Sequence, residues 1–533
     1  MADLLVLGGK VFTAEAGDPW AQALAIEGDR IVAVGSDGEI GELYGPDTRV
    51  VQLDGHVVIP GINDAHRHFQ PWSPDAHYLT LTPLEPSWEE TRAAIEKAVA
   101  EVPPGTWIHG IVGVTIVTDP SVDRSFLDSL APEHPVKLAA FYGHGDIYNS
   151  QALAQLAVED DAADPVGGFF EREPGSQRVN GRVFEYAQWN LTRQQAADLE
   201  DRVVVEQMRA GAEEMLALGI TSMQIMPIMP FWRYVELLQR AELPLRVRAI
   251  RFPGTSAKGR HVETDAVHVA GKGPSFSGGD RIQVLGVKWI LDGTPLERGS
   301  AMREGYLDEP AWSGRLNFPP EEIAAMLGES LAADEPLLLH AVGDRTLEVL
   351  FDEMEKIEGV DWPERRLRIE HGDGLAPDLA ARAARLGVIV VQNPTHFALP
   401  VIAEERIGRE RHFQPLRSLI EAGIPLALGS DGPPNPWLDV MLAMIHPAAP
   451  EEAITIEQAI SAYTLGAAYS ELQEGEKGSL AEGKLADLAI LSQDVFEVPP
   501  DAIPATRSLL TILGGNIVYD SGELDRESSA SDR

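Results

Sequence analysis

The chain has 533 residues, of which 44% are apolar and none is cysteine, and its formal net charge is −40. The length and apolar content suffice for more than one domain, and the lack of cysteine excludes disulfides, zinc ribbons and thiol catalysis. The strongly negative charge argues against nucleic acid or an anionic membrane surface as a partner.

The start of the chain does not have the pattern of a secretory signal. It lacks a basic region, and its first apolar run is short. No stretch approaches the ~20 consecutive apolar residues of a membrane-spanning helix. We therefore expect a cytoplasmic protein that acts on a small molecule, with neither nucleic acid nor membrane as a partner. A homodimer is one expected form of assembly.

Both ends of the chain are rich in β-strand signals. Residues 2–58 alternate short apolar segments with turns that contain glycine, and residues 478–523 repeat this pattern. This arrangement predicts a single sheet assembled from the two ends. The polar residues 526–533 are predicted to form a disordered tail.

The middle of the chain, residues 59–475, alternates apolar strands with amphipathic helical segments such as Glu321–Ala333 and Pro377–Arg385. This alternation predicts parallel βαβ units. The first strand is the apolar run before His66, and later strands are predicted at Ile220–Ile225, Leu245–Arg251, Gln283–Leu291, Leu337–His340, Leu367–Glu370, Val388–Gln392 and Pro425–Gly429. Eight such units close most naturally as an α/β fold of the (β/α)8 type, the TIM barrel. Residues 72–200 are too long for one crossover and are predicted to form an inserted subdomain or lid.

The segment Pro60–Phe69, PGINDAHRHF, places His66 and His68 two residues apart. Side chains at this spacing on a strand point to the same side. Two neutral imidazoles on one face form half of a site for a divalent metal. Taken alone, the pair is equally compatible with two polar histidines at the end of a strand.

Further residues with metal-site chemistry stand at the ends of other predicted strands. Lys288 lies in the apolar run GVKWILDG of the fourth, His340 ends the fifth, His371 the sixth, and Asp431 follows the eighth. Each alone has a structural explanation, as a core histidine, a helix cap or a lysine that reaches the strand end. Because barrel enzymes carry their chemistry at these ends, the coincidence of all of them predicts a metal centre.

Such a centre would supply a nucleophile. A divalent ion such as Zn²⁺ lowers the pKa of bound water to about 7, and Asp431 is the predicted general base that moves the proton to the leaving group. A buried lysine has a lowered pKa, so the neutral amine of Lys288 can react with carbon dioxide to form a carbamate that bridges two metals. We predict one or two divalent ions per chain, with zinc as the first choice and Mn²⁺ or Co²⁺ as alternatives.

The motifs around these residues resemble those of the amidohydrolase superfamily. Within it, they are similar to amidohydrolase family 3, the YtcJ-like group that includes N-substituted formamide deformylases. The segments PGINDAHRHF, FYGHGDIYNSQAL, GVKWILDGTPLERGSAM, HAVGDRTLEVL, RIEHGDGL, VVQNPTHF, LGSDGP and GSLAEGKLADLAILS follow in family order over nearly the whole chain. The resemblance implies a (β/α)8 barrel with a composite β-sandwich built from residues 1–58 and 476–525.

The resemblance also implies a role for each candidate ligand. His66, His68 and Asp431 would bind the more buried metal, and His340 and His371 the other. Lys288, carboxylated, would bridge the two ions.

From these observations we predict a metal-dependent hydrolase that cleaves the C–N bond of an amide-like small molecule, such as an N-substituted formamide or an N-acyl compound. His396, after the seventh strand, is predicted to assist catalysis. The predicted substrate-binding residues are Tyr142, His144, Glu185 and Trp289. Three alternatives stay open: a mononuclear deaminase or cyclic-amide hydrolase, a carbamate or thiocarbamate hydrolase of the same superfamily, and a non-catalytic binding protein on the same barrel.

Overall fold

The computed structural model describes residues 1–261, 281–399 and 401–524. Its central sheet has eight parallel strands that neighbour one another in chain order: Ile62–Phe69, Ile220–Pro227, Arg246–Arg251, Ile282–Ile290, Leu337–Ala341, Arg368–His371, Ile389–Gln392 and Leu426–Leu428. The last strand returns to the first, where the N–H of Asp431 donates to the carbonyl of His66 at 2.9 Å. The predicted (β/α)8 barrel is confirmed.

Helices surround the barrel and follow its strands. They span Asp201–Ala217, Phe231–Ala241, Pro320–Ala333, Asp344–Lys356, Trp362–Arg365, Pro377–Leu386, Arg417–Glu421, Pro436–Ile445, Ile456–Ser461 and Ala467–Ser470. Local sequence sets their ends: the helix Pro377–Leu386 begins with proline and ends before Gly387, whose φ is +62°. In the described residues, no helix is both long enough and apolar enough to cross a membrane. The cytoplasmic location stays a prediction.

The first barrel strand lies further along the chain than predicted. The apolar run Val57–Pro60 is a separate strand that belongs to a sheet outside the barrel, and the barrel strand is Ile62–Phe69, which contains both histidines of the pair. Gly61 lies between the two strands, where a Cβ atom would overlap the side chain of Thr221. The prediction that the run before His66 forms the barrel strand was therefore wrong.

Strands from both ends of the chain meet in that second sheet. Its six strands, in spatial order, are Asn516–Asp520, Ser508–Leu513, Leu488–Leu491, Val57–Pro60, Lys10–Phe12 and Trp20–Ala21. A four-stranded sheet, ordered Arg30–Gly35, Ala23–Glu27, Leu4–Leu7 and Arg49–Gln52, packs against it. The two sheets share one buried apolar cluster, to which Val6, Ile26, Val58 and Ile490 belong. The predicted tail lies outside the described residues.

A further sheet forms between the first and second barrel strands. Its strands are Gly168–Arg172, Val179–Glu185, Asp146–Tyr148, Val136–Ala140, Ile108–Val112 and His77–Tyr78. The helices of this segment are Trp88–Glu101, Val114–Val117, Arg124–Leu130, Ser150–Gln155 and Tyr186–Ala197. Ile108, Leu127 and Leu138 belong to a buried cluster of its own. We call residues 72–200 the insert.

A buried ion pair ties the barrel to the terminal sheets. Arg246, which begins the third barrel strand, donates to Asp487 through Nε at 2.5 Å and through Nη2 at 3.0 Å. Asp487 also accepts from the N–H of Gly514 at 2.8 Å. Because both charges are removed from water, the loss of one leaves the other uncompensated.

We expect Arg246→Met to lower the free energy of unfolding by about 3–5 kcal/mol, because it leaves the carboxylate of Asp487 buried without its cation. Urea denaturation followed by circular dichroism measures the change. The control is Arg92→Ala, which breaks an exposed pair with Glu96 at 2.9 Å and should cost less than about 1 kcal/mol. Equal effects of the two variants would contradict the assigned role of Arg246.

Candidate active site

Imidazoles from three barrel strands converge at the mouth formed by the strand C-termini. His66 and His68 project from the first strand with ring centroids 5.4 Å apart. His371, at the end of the sixth strand, lies 5.0 Å from the ring of His66 and 4.6 Å from that of His340, at the end of the fifth. Together with Asp431 and Lys288, these four residues are called the histidine cluster below.

The carboxylate of Asp431 faces four imidazoles at once. Its oxygens lie 3.6 Å from Nε2 of His66, 3.8 Å from that of His68, 3.7 Å from that of His371 and 3.8 Å from that of His396. These separations exceed hydrogen-bond distance. The five side chains therefore face a common space without bonding to one another across it.

Lys288 reaches the same space from inside the fourth strand. Its buried amine lies 2.9 Å from Nε2 of His66 and 3.2 Å from Nε2 of His68. Among the described residues, no carboxylate oxygen lies within ion-pair distance of this amine. Burial lowers the pKa of Lys288 to about 8, although the carboxylates of Asp431 and Glu370 oppose that shift.

Hydrogen bonds on the far side of the two rings orient them. Nδ1 of His66 lies 2.5 Å from a carboxylate oxygen of Glu370, and Nδ1 of His68 lies 3.0 Å from the carbonyl of Met226. Both acceptors require the proton on Nδ1. Each Nε2 therefore presents a lone pair to the cluster, which is the tautomer that a metal ligand needs.

Glu370 is a functional residue that the sequence reasoning missed. Arg368, two residues earlier on the same strand, donates to it through Nε at 2.5 Å and through Nη2 at 3.0 Å. Both side chains are buried inside the barrel. The sequence feature that could have identified Glu370 is the pair of opposite charges, Arg368 and Glu370, within a short strand whose other neighbours are apolar.

The backbone of His371 lets its ring reach the mouth of the barrel. Because alternate residues of a strand face opposite sides, His371 would otherwise project outward, but its left-handed backbone, with φ +71°, allows the ring to turn into the mouth.

His340, the fourth histidine of the cluster, is held near the end of the fourth strand. Its Nε2 lies 3.4 Å from the carbonyl of Gly293. The neighbouring Asp292 accepts from the N–H groups of Val342 at 3.0 Å and Gly343 at 2.8 Å. These hydrogen bonds connect the end of the fourth strand to the end of the fifth. They therefore fix the position of Lys288 relative to His340.

The protonation states of the cluster residues favour the binding of a metal cation. Burial, together with neighbouring positive charge, lowers the pKa of His66, His68, His340 and His371 well below the usual value. Burial raises the pKa of Asp431 to about 6. Neutral imidazoles and a carboxylate are the ligands that Zn²⁺ and related divalent ions require.

One orphaned atom supports the same fit. Nδ1 of His371 is buried and has no hydrogen-bond partner among the described residues. A ligand atom from each of His66, His371 and Asp431 lies within 4.8 Å of the others. The residues present therefore fit a divalent metal.

The insert contributes His144 to the edge of the cluster. Its ring lies 5.2 Å from that of His340, and its Nδ1 donates to Glu185 at 3.0 Å. Although burial opposes the charge, Glu185 and the nearby Glu297 raise the pKa of His144 to about 9. Glu297, which the sequence reasoning missed, has a ligand atom within 4.8 Å of those of His144 and Glu185.

His396 and Tyr142, predicted to act in catalysis and substrate binding, lie on different parts of the chain. His396 lies on the short helix Pro394–Ala398, and its ring stacks on that of His371 at 5.4 Å. Burial lowers the pKa of His396 to about 4. Tyr142, in the insert, has a buried hydroxyl without a hydrogen-bond partner among the described residues.

Trp289, a predicted substrate-binding residue, is buried. It is 1% exposed and lies in the apolar core, with ring centroids 6.0 Å from Tyr186 and 5.8 Å from Phe318. Since neighbouring strand residues face opposite sides, the inward position of Lys288 directs Trp289 outward. These contacts indicate a packing role, and substrate binding by Trp289 stays a prediction.

The chain is similar to known proteins over nearly its whole length. The family model described as "Amidohydrolase family" matches residues 49–519. The N-substituted formamide deformylase of Arthrobacter pascens is 26% identical over 98% of this chain and 99% of its own length. The putative amidohydrolase YtcJ of Bacillus subtilis is 26% identical over 96% of this chain and 98% of its own.

Solved structures share the fold. An uncharacterized metal-dependent hydrolase from Pyrococcus horikoshii has a TM-score of 0.71 at 21% identity, covering 93% of this chain and 99% of its own. Atrazine chlorohydrolase TrzN from Arthrobacter aurescens, complexed with zinc, has a TM-score of 0.55 at 17% identity, covering 97% and 95%. The resemblance read from the motifs is confirmed by the family match over most of the chain: this protein belongs to the amidohydrolase family.

Proposed function

We propose that this protein is a metal-dependent hydrolase that cleaves the C–N bond of an amide-like small molecule, such as an N-substituted formamide or an N-acyl compound. The observation that carries the proposal is the carboxylate of Asp431, 3.6 to 3.8 Å from Nε2 of four histidines. Membership of the amidohydrolase family supports the reaction class. The similarity to a formamide deformylase over nearly the whole chain supports the choice of bond.

The histidine cluster would hold the metal. His66, His68 and Asp431 would bind one divalent ion, for which zinc is the proposed identity, and His340 and His371 would bind a second. When bound, the ion supplies Lewis-acid activation of a water molecule and of the scissile carbonyl.

Asp431 moves the proton. Burial raises the pKa of its carboxylate above the usual value, and a carboxylate placed next to the attacking water can act as a general base. It accepts the proton of the attacking water and returns it to the nitrogen of the leaving group. The amine is thereby expelled in neutral form, which removes the main obstacle to breaking a C–N bond.

His396 and His144 act on the substrate from the mouth. The low pKa of His396 leaves a neutral imidazole whose N–H donates to the carbonyl oxygen as negative charge develops there. His144 is held by Glu185 at 3.0 Å, so its remaining nitrogen has a fixed direction toward the cluster. Both restrict how the amide group enters.

Lys288 is proposed to carry a carbamate. Its neutral amine attacks carbon dioxide, an N–C bond forms, and one proton is released to solvent. The product is an anion with two oxygens in place of a cation that would repel metal. The burial of the amine against two imidazole nitrogens at 2.9 and 3.2 Å favours this exchange.

A second candidate is a mononuclear deaminase or cyclic-amide hydrolase of the same family. The observation that favours it is that His66, His371 and Asp431 alone within the cluster bring ligand atoms within 4.8 Å of one another. In that case Lys288 keeps its amine as a hydrogen-bond donor. The state of Lys288 separates the two candidates.

Zinc-loaded protein should release an amine from at least one member of a panel of N-substituted formamides, N-acyl amino acids, cyclic imides and carbamates.

On the substrate that is turned over, Asp431→Asn should lower kcat by at least ~10², because the amide side chain cannot accept the proton. The exposed Asp47→Asn is the control and should keep the parental kcat. A panel without turnover would refute the hydrolase, and a parental kcat for Asp431→Asn would remove that residue from the mechanism.

Lys288→Met should lose at least one bound metal per chain and most of the activity, because it removes the carbamate and its two oxygens. Short carboxylic acids added with metal should restore part of both to Lys288→Ala by filling the gap. Carbon-13 NMR of protein labelled with ¹³C-bicarbonate should show a carbamate signal that Lys288→Met lacks. Lys97→Met, at an exposed position, is the control for all three readouts.

Full activity and unchanged metal content in Lys288→Met would exclude the bridge. The mononuclear candidate would then stand in its place.

A further inference from the structure

A cavity of about 360 Å³ lies between the insert and the loop that follows the fourth barrel strand. Phe169 and Phe184 line it from the insert, and Trp312 and Arg315 line it from the loop. Clefts between structural units at the C-terminal face of a barrel are frequent ligand sites. The proposed reaction uses none of these four residues.

The inner wall of the cavity borders the histidine cluster. Glu185 lines the cavity and at the same time accepts from Nδ1 of His144 at 3.0 Å. The ring of His144 in turn lies 5.2 Å from that of His340. The contacts that lead from the cavity to the proposed reaction centre therefore run through Glu185 and His144 to His340.

Arg315 packs its guanidinium against an aromatic ring of this cavity. Its guanidinium lies 3.8 Å from the centre of the Phe169 ring, which itself stacks on Phe184 with centroids 4.7 Å apart and planes at 13°. Among the described residues, its side chain has no ion pair and no hydrogen bond. The aromatic stack holds the guanidinium plane in place while its N–H donors stay unused.

The other cations of the cavity are already paired. Nε of Arg182 lies 2.8 Å from a carboxylate oxygen of Glu171, and Arg298 donates to Asp308 at 2.6 Å. Arg315 is therefore the cavity cation, within the described structure, whose charge is not met by an adjacent carboxylate.

The acidic groups of the cavity are engaged elsewhere. Glu171 accepts from Asn180 at 2.5 Å, and Glu185 accepts from Asn317 at 2.9 Å. Glu297 accepts from the N–H of Thr294 at 2.5 Å. Burial lowers the pKa of Arg315, although the carboxylates of Glu185, Asp164 and Glu297 oppose that shift from beyond ion-pair distance.

We propose that this cavity is a subsite for a carboxylate carried by the substrate, with Arg315 as its partner and the aromatic side chains against the apolar arm that carries it. A guanidinium presents two parallel N–H donors that match a carboxylate. The identification of the ligand as substrate rests on the proposed function. It narrows the substrate class to amide-like compounds that bear a carboxylate away from the scissile bond.

The net charge of the chain bears on the assignment of Arg315 as the partner of a carboxylate. A protein with a formal charge of −40 repels anions at long range. A preference for a carboxylate must therefore come from local positive charge, and Arg315 supplies a cation that forms no ion pair within the described residues.

Binding of phenylacetate and of 2-phenylethanol, measured by titration calorimetry on the metal-loaded protein, tests the proposal. The two probes share a ring and differ in the carboxylate, and neither has a C–N bond to cleave. The parent should bind phenylacetate at least ~10-fold more tightly, since a charge-assisted hydrogen bond contributes about 1.5–3 kcal/mol. Arg315→Gln should remove this preference, and Arg315→Lys should retain part of it.

The matched control is Arg366→Gln. Arg366 also stacks on an aromatic ring, that of Tyr469 at 4.0 Å, but it precedes the sixth strand at the other end of the barrel and pairs with Glu474 at 2.7 Å. It should keep the parental preference. An unchanged preference in Arg315→Gln would place the carboxylate elsewhere, for example on the metal, and overturn the proposal. A parent without preference would overturn it as well.

The two proposals fail separately. The probes report on the cavity whether or not the protein hydrolyses amides. Conversely, an absence of turnover on the substrate panel would refute the hydrolase without altering the binding result.

Discussion

A buried chain of hydrogen bonds from Arg368 through Glu370 to His66 sets the orientation on which the histidine cluster depends. Arg368 holds both carboxylate oxygens of Glu370, and Glu370 fixes the proton of His66 on Nδ1. The lone pair of Nε2 then has no direction except into the mouth. The side chains of Lys288 and Asp431 lie around Nε2 of His66 and Nε2 of His68.

The burial of several polar and ionisable groups together is the second constraint. The cluster gathers neutral imidazoles, a lysine amine and a carboxylate in one enclosed space, and the pKa of Lys288 falls to about 8 while that of Asp431 rises to about 6. Such a set of groups costs free energy unless a ligand satisfies it. A divalent cation, together with a carbamate on Lys288, meets the requirement with the residues present.

Local motifs were sufficient to predict the barrel and the cluster, because each ligand stands next to its own strand. Contacts between distant segments were not predictable: Glu370 reaches a ring 304 positions away, and Phe169 meets Arg315 across two structural units. Periodicity also could not assign the apolar run Val57–Pro60 to a sheet. The same pattern suits a barrel strand and a sandwich strand, and the two are separated by pairing with strands from the two ends of the chain.

Metal content tests the central claim most directly. Protein purified without chelator should contain about one to two divalent ions per chain by elemental analysis, chiefly zinc, because the cluster offers nitrogen and oxygen ligands in the number such ions need. Replacement of His66 and His68 by alanine should lower that content, and replacement of the exposed His412 should not. Protein without bound metal, and without activity after addition of Zn²⁺, Mn²⁺ or Co²⁺, would contradict the account.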